Sequence, residues 1–175
     1  MRTAARIFII AITFVLMFFR ADAQTLSLDD IIEVRKMDST QFKLFSDQKG
    51  FQLKRTDVDA WRTSYEYQSI SDSSIRILKS FPTGKQLNLS GATSKPTDNP
   101  GMVYYYFADR SFIKDFKKEM KAKKFKYHRS DTTNHGGNIF IHIKYRTNED
   151  EIDLASEQIP GYKISYALMY YRRPN

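Results

Sequence analysis

The chain has 175 residues, of which 28 are basic and 20 acidic, giving a formal net charge of +8, and it contains no cysteine. Its length is enough for one ordinary domain or two small ones. The lack of cysteine excludes a disulfide-stabilised fold, thiol catalysis, cysteine-bound zinc and a lipid anchor attached through cysteine.

The first 23 residues have the pattern of a secretory signal peptide. Arg2 and Arg6 form a basic start, residues 7–19 are almost entirely apolar, and residues 21–23 read Ala-Asp-Ala, a cleavage site. The apolar run is shorter than the roughly 20 residues that a membrane-spanning helix needs. We therefore expect an exported bacterial protein, periplasmic or extracellular, whose mature chain has no transmembrane segment. An uncleaved membrane anchor is the alternative.

The chain stays basic when this segment is removed. Cleavage would take away three of the 28 basic and one of the 20 acidic residues, leaving a formal charge of +6. Outside the cytoplasm, a basic protein meets anionic lipid, acidic polysaccharide and acidic proteins before it meets nucleic acid. The expected partner is therefore an unknown protein or an acidic envelope polymer, and not a nucleic acid.

Two short helices are predicted at the start of the mature chain. Ser27 is a suitable N-cap for a first helix that ends near Lys36. Asp38 caps a second helix, and Lys49 with Gly50 ends it, because glycine accepts the left-handed conformation of a helix C-terminus.

Alternation of apolar and polar residues predicts four strands after these helices and four more after a third helix. The strands are expected at residues 51–54, 63–68, 75–77, 103–107, 125–127, 139–145, 152–154 and 164–170. The third helix follows Asp109 and carries Phe112, Phe116 and Met120 on one face. Three prolines and three glycines between residues 82 and 101 predict a long loop, with room for a short strand at 87–89.

The order of these elements predicts two copies of one unit. At an offset of 74 residues, Phe42, Lys43, Lys49, Phe51 and Arg55 match Phe116, Lys117, Lys123, Phe125 and Arg129. We expect an α+β fold: an antiparallel sheet with helices on one face, built from two tandem α-β-β-β-β units. Residues 1–23 are then the signal peptide, 24–108 the first unit and 109–175 the second, the two units forming one compact domain.

This arrangement resembles the architecture of beta-lactamase inhibitory proteins, which have two tandem units of similar size and element order. The resemblance covers most of the mature chain and carries over no individual residue, and those inhibitors use disulfides, which this chain lacks. It implies that helices cover one side of the sheet and that the open side binds another protein. In general character the chain is also similar to uncharacterised exported bacterial α+β proteins.

Side chains expected on the open side of the sheet form the first candidate site. A hairpin folded about His135 would place His128 opposite His142 and Lys126 opposite Lys144. Two facing histidines without a third ligand predict no metal site; the alternatives are a solvated face and an anion-contacting patch. Tyr104 and Tyr106 are expected to point outward on the same side of the sheet; the alternative is that they lie in a second apolar core under the long loop. The candidate binding face comprises Tyr104, Tyr106, Lys126, His128, His142, Lys144 and Arg146.

The second candidate site is a lysine-rich helix face, which is either solvated or in contact with an anionic surface. It comprises Lys114, Lys117, Lys118 and Lys121. No catalytic or dinucleotide-binding motif occurs, so we expect neither enzymatic activity nor a cofactor. The leading hypothesis is a non-enzymatic binding module that uses the open sheet face. The alternatives are an envelope-surface protein that binds anionic lipid or polysaccharide through the basic helix, and an unrecognised hydrolase.

Overall fold

The computed structural model describes residues 25–59, 62–82, 102–135, 137–158 and 164–172. The predicted signal peptide and the short strand expected at 87–89 lie outside these residues. The described elements are α1 (Leu28–Lys36), α2 (Ser39–Gln48), β1 (Phe51–Val58), β2 (Arg62–Ser69), β3 (Arg76–Pro82), β4 (Val103–Phe107), α3 (Ser111–Ala122), β5 (Lys126–His135), β6 (Asn138–Arg146), β7 (Asp150–Gln158) and β8 (Ser165–Arg172). Among the described helices, none is long and apolar enough to span a membrane.

The strands form a single antiparallel sheet in the order β1-β2-β3-β4-β8-β7-β6-β5. The last strands of the two halves, β4 and β8, therefore meet at the centre of the sheet, and the first strands, β1 and β5, are its edges. Helix α1 packs against both central strands, whereas α2 packs against β1. The α+β class and the antiparallel sheet are as the sequence predicts.

The core lies between the helices and one face of the sheet. Val103, Tyr105 and Phe107 of β4 are buried, as are the alternate residues of β8 that pair with them. The helices contribute to the same core the buried residues Leu28, Ile31, Val34, Phe42, Phe116 and Met120. Each such apolar side chain contributes about 1.5–3 kcal/mol by leaving water, so this covered face holds most of the hydrophobic stabilisation.

The predicted helix boundaries are confirmed. Ser27 and Asp38 are the N-caps of α1 and α2, and each accepts a hydrogen bond from the backbone N–H three residues later. Gly50 follows α2 with φ of 70°. Lys124 takes the same left-handed conformation after α3, with φ of 64°, although it carries a side chain.

Helix α3 holds the start of α1. The Glu119 carboxylate accepts a hydrogen bond of 2.8 Å from the backbone N–H of Leu28, and Lys123 forms an ion pair with Asp29. A carboxylate near a helix N-terminus satisfies an unpaired N–H group and interacts favourably with the helix dipole. These contacts join residues that are about ninety positions apart in sequence.

A lysine lies inside the covered face, which the sequence analysis did not anticipate. Lys79 of β3 is only 1% exposed, and its ammonium group donates to the carbonyl oxygens of Val34, Arg35 and Met37 at the end of α1, at 2.6 Å and 2.8 Å for the first two. Burial and the neighbouring Arg35 lower the pKa of Lys79 to about 8. The lysine takes the place of the backbone donors that the last turn of a helix lacks.

The predicted pairing of β5 with β6 is wrong in register. His135 pairs with Asn138 next to the turn, so Asp131 lies opposite His142 and Arg129 lies opposite Lys144. A hairpin folded about His135 places the turn too early in the chain, and every pair derived from it is displaced. Farther from the turn, a β-bulge between Tyr127 and Arg129 changes the register by one residue, and His128 falls at this bulge and faces no histidine.

Candidate binding face

The open face is the side of the sheet opposite the helices, and no described helix packs on it. Tyr104 and Tyr106 of β4 lie there, as the alternation along β4 predicts, and both are half-buried. Their rings are nearly parallel, at an angle of 7° and with 6.2 Å between centroids. Two residues apart on one strand, they form a continuous aromatic ridge at the centre of the sheet.

One ion pair supports this ridge from the neighbouring strands. The guanidinium of Arg76 lies 4.8 Å from the centroid of the Tyr106 ring and 2.9 Å from the Glu66 carboxylate. Burial and the nearby Tyr104 raise the pKa of Tyr106, an effect that Arg76 opposes. Arg76 therefore holds the Tyr106 ring from one side while its own charge is balanced by Glu66.

Small side chains beside the tyrosines open a hollow of about 190 Å³ in this face. Ala167 pairs with Tyr106 across the centre of the sheet, and Ala155 lies next to Ala167 on β7. Further lining comes from Arg76, Phe140, Glu157 and Met169. An alanine next to a large ring leaves a depression that the sheet itself cannot fill, so the hollow follows directly from these residue choices.

The other half of the open face is a network of charges. Glu151 and Asp153 of β7 are 2% and 5% exposed. Asp153 lies 3.0 Å from His142 and 4.0 Å from the Lys144 ammonium, which is also 3.9 Å from Glu151. Arg146 and the Tyr171 hydroxyl both donate to Glu151. Two carboxylates thus balance one lysine and one arginine.

The pKa values in this network reflect these contacts. Burial alone would raise the pKa of Glu151, but the hydrogen bonds from Tyr171 and Arg146 and the charge of Lys144 bring it below its usual value. Burial and the bond to Glu151 raise the pKa of Tyr171. Glu151 is therefore ionised and Tyr171 neutral over the whole physiological range.

The structure divides the candidate residues into three groups. Tyr104 and Tyr106 adjoin the hollow. His142, Lys144 and Arg146 share the open face but contact Glu151 and Asp153, which sequence reasoning did not connect with them. Lys126 and His128 lie on the edge strand β5 and are exposed. Glu151 and Asp153 alternate along β7, and this spacing was the sequence signal for the network, since it puts both acids on the face of the three cations.

The lysine-rich helix face is exposed as predicted. Lys114, Lys117, Lys118 and Lys121 point away from the core, in which Phe116 and Met120 of the same helix are buried. Next to the end of α3 lies an open cleft of about 620 Å³, which we call the edge cleft. Its lining residues are Lys123, Lys124, Lys126, Tyr127, His128, Arg146, Thr147, Asn148, Glu149 and Asp150.

Comparison with known proteins does not identify a family for this chain. No protein-family model matches the chain, and no curated protein matches it significantly. Within the described ranges, histidine, aspartate and glutamate side chains form no group of three that could hold a metal ion.

Proposed function

We propose that the chain is an exported, non-enzymatic binding module that contacts a protein partner through the open face. The observation that carries this proposal is the stacked pair Tyr104 and Tyr106 beside the hollow at the centre of the sheet. Tyrosine, methionine and arginine are enriched at the centres of protein interfaces. The ridge and the hollow's lining combine all three, since Arg76 and Met169 adjoin the two rings.

The charge network gives this surface a polar border. Because Lys144 and Arg146 are balanced by Glu151 and Asp153, the network attracts neither acidic nor basic partners strongly. Such a border is typical of interfaces in which an aromatic centre supplies most of the binding energy. A partner is therefore expected to bind over the ridge with little dependence on salt.

We also propose that the two halves are copies of one unit, which would give the open face its two-part form. Four features recur at the offset of 74: the C-cap Lys49 and Lys123, the left-handed Gly50 and Lys124, the bulges at 53–55 and 127–129, and the Arg55–Asp57 and Arg129–Asp131 ion pairs. Tyr105 pairs with Leu168 at the centre of the sheet, where an axis relating the halves would pass. Bulges kept at equivalent positions favour common descent of the halves.

Export is tested by the mature N-terminus. The full-length gene is expressed in a bacterium, and the protein is purified from the periplasm and the medium and weighed by mass spectrometry. Cleavage predicts a chain that begins at Gln24. A full-length mass in the membrane fraction would support the uncleaved anchor instead.

Binding is tested with the protein purified in this way. It is immobilised and exposed to envelope extracts at low and high salt, next to the double variant Tyr104→Ala/Tyr106→Ala. We expect a protein that the wild type retains at high salt and the double variant releases. Tyr104→Phe/Tyr106→Phe keeps both rings and should retain the partner.

A matched control separates loss of binding from loss of folding. Tyr127→Ala removes an equally large ring, 61% exposed, from a position outside the open face, and it should leave capture unchanged. Circular dichroism and urea unfolding are recorded for each variant. Unfolding of the Tyr104→Ala/Tyr106→Ala protein would assign the two rings to the core and contradict the proposal.

A further inference from the structure

The cations of α3 and the start of β5 differ from those of the open face in having no acidic partner. Six exposed lysines follow one another along this surface: Lys114, Lys117, Lys118, Lys121, Lys124 and Lys126. In the part of the chain that the structure describes, none of their ammonium groups lies within 4.0 Å of a carboxylate, whereas the neighbouring Lys123 pairs with Asp29. We call these six residues the basic strip.

The edge cleft continues this strip and is itself positive. Its two acids are balanced by arginines: Asp150 lies 3.2 Å from Arg35, and Glu149 lies 3.6 Å from Arg172. Its cations Lys123 and Arg146 are balanced by Asp29 and Glu151. Lys124 and Lys126 have no acidic partner among the described residues, so they determine the sign of the potential in the cleft.

The cleft also presents an aromatic ring. Tyr127 is 61% exposed and packs edge-on against Tyr145, with 6.2 Å between ring centroids. The contact with Tyr145 fixes the orientation of the Tyr127 ring, and its remaining surface is free for another flat or ring-shaped group. His128 stands next to it on the bulge of β5 and can donate or accept a hydrogen bond.

We propose that the basic strip and the edge cleft bind an acidic polysaccharide, with one carboxylate-bearing sugar in the cleft and the chain running along α3. Lys124 and Lys126 contact the acidic group, Tyr127 packs against the sugar ring, and the four helix lysines contact further acidic groups. From Lys114 to Lys121 the helix rises by about 10 Å, which is longer than one sugar unit. This site adjoins the open face at Arg146 but takes a different class of ligand.

The shape and polarity of the surface favour a polymer over a membrane. A peripheral membrane helix buries apolar side chains in the lipid, but Phe116 and Met120, the apolar side of α3, are buried in the core. A flat bilayer would also leave the cleft empty. A flexible anionic chain can follow the strip and insert a ring into the cleft.

The test measures binding of polygalacturonate, with neutral dextran and vesicles of phosphatidylglycerol and phosphatidylcholine in equal parts as comparison probes. The wild-type protein should bind polygalacturonate, and this binding should weaken as the salt concentration is raised. It should bind neither dextran nor the vesicles to a comparable extent. Lys124→Gln/Lys126→Gln should weaken binding roughly tenfold or more.

A charge-matched control tests whether polygalacturonate binding depends on the position of the lysines or only on the net charge. Lys36 and Lys43 are exposed lysines outside the strip with no acidic partner in the described part of the chain, and Lys36→Gln/Lys43→Gln lowers the net charge equally. It should change affinity by less than roughly twofold. Tyr127→Ala should weaken polygalacturonate binding while leaving the net charge unchanged.

Three results would overturn the proposal. Equal losses in the two lysine variants would mean that overall charge, and not this site, attracts the polymer. Stronger binding to vesicles than to polygalacturonate would assign the strip to a membrane. No binding to polygalacturonate by a folded protein would leave the lysines as a solvated surface.

Discussion

The charge network of the open face and the basic strip both contain several cations, but they use them differently. In the network, Lys144 and Arg146 face two buried carboxylates. In the strip, six lysines have no acidic partner within reach in the described part of the chain. A cluster of basic residues in a sequence therefore indicates an external anion only after the acidic partners within the protein have been located. We therefore expect the network to contribute mainly to stability, whereas the strip is the surface for which we propose an anionic ligand.

The largest expected effect comes from removing an acid of the network. Glu151→Ala leaves Lys144 and Arg146 with one fewer counter-charge in a largely buried setting and removes the acceptor of Tyr171. We expect a loss of about 3 kcal/mol in the free energy of unfolding, measured by urea denaturation. Glu149→Ala, at an exposed turn position, is the control and should lose less than about 0.5 kcal/mol. Similar small losses in both variants would mean that the network is not structural.

The contribution of Glu151 to the free energy of unfolding depends on pH. The pKa of Glu151 in the folded protein lies below its ordinary value of 4.5. Its contribution is therefore complete above pH 4.5 and is lost as the pH falls through the lower folded value. The wild type and Glu151→Gln should differ most near neutral pH and converge below pH 4.5. Unfolding curves at several pH values check this, and a constant difference would contradict it.

The next effect contrasts a lysine inside the protein with a lysine of the strip. Lys79→Met keeps the length of the side chain but removes the ammonium donor from three carbonyl groups at the end of α1, of which only that of Val34 has a second donor in the described part of the chain, the backbone N–H of Met37. We expect a loss of about 2 kcal/mol. Lys118→Met, the matched change on the exposed face of α3, should alter the unfolding free energy by less than about 0.5 kcal/mol. A neutral result for Lys79→Met would show that water replaces the ammonium group.

A smaller effect is expected in the half of the open face that holds the tyrosine ridge. Glu66→Gln removes the counter-charge of Arg76 and of the more distant Lys54, 4.0 Å away, and both cations are more exposed than those of the network. The loss should be about 1 kcal/mol in urea unfolding, and partner capture should fall because the support of Tyr106 is weakened. A loss of stability as large as that of Glu151→Ala would contradict the distinction between the tyrosine ridge and the charge network of the open face.

The smallest effect on stability belongs to the strip itself. Replacing Lys114, Lys117, Lys118 and Lys121 by glutamine relieves repulsion between neighbouring like charges. The unfolding free energy should change by no more than about 0.5 kcal/mol, in the stabilising direction. Thermal unfolding at low salt is the most sensitive measurement. A clear destabilisation would indicate that these lysines have partners within the protein.

The sequence was sufficient to predict the elements but not their detailed pairing. Caps such as Ser27 and Asp38 act within one turn of helix, and the alternation in β4 is likewise a local pattern, so both can be read directly. The position of the turn between β5 and β6, and the bulge in β5, depend on how the two strands fit each other, which no local pattern records. Folding the hairpin about His135 therefore placed His128 opposite the wrong residue.

The candidate site shows the same limit. Tyr104 and Tyr106 could be placed on the outer face because alternation has a period of two. The hollow beside them needs Ala155 of β7 and Ala167 of β8, which are far from the two tyrosines in the chain and meet them only across the sheet. Lys79 was missed for a related reason: its acceptors are backbone carbonyls of α1, and the sequence carries no mark for them.

The carbonyl groups around Lys79 also make that residue a natural reporter of opening. A reagent that acylates free amines modifies the surface lysines at once but reaches this amine only when the end of α1 separates from β3. The rate at which Lys79 is labelled, read by peptide mass spectrometry, therefore measures how often the helical layer lifts from the sheet. No engineered probe is required, since the residue is part of the natural chain.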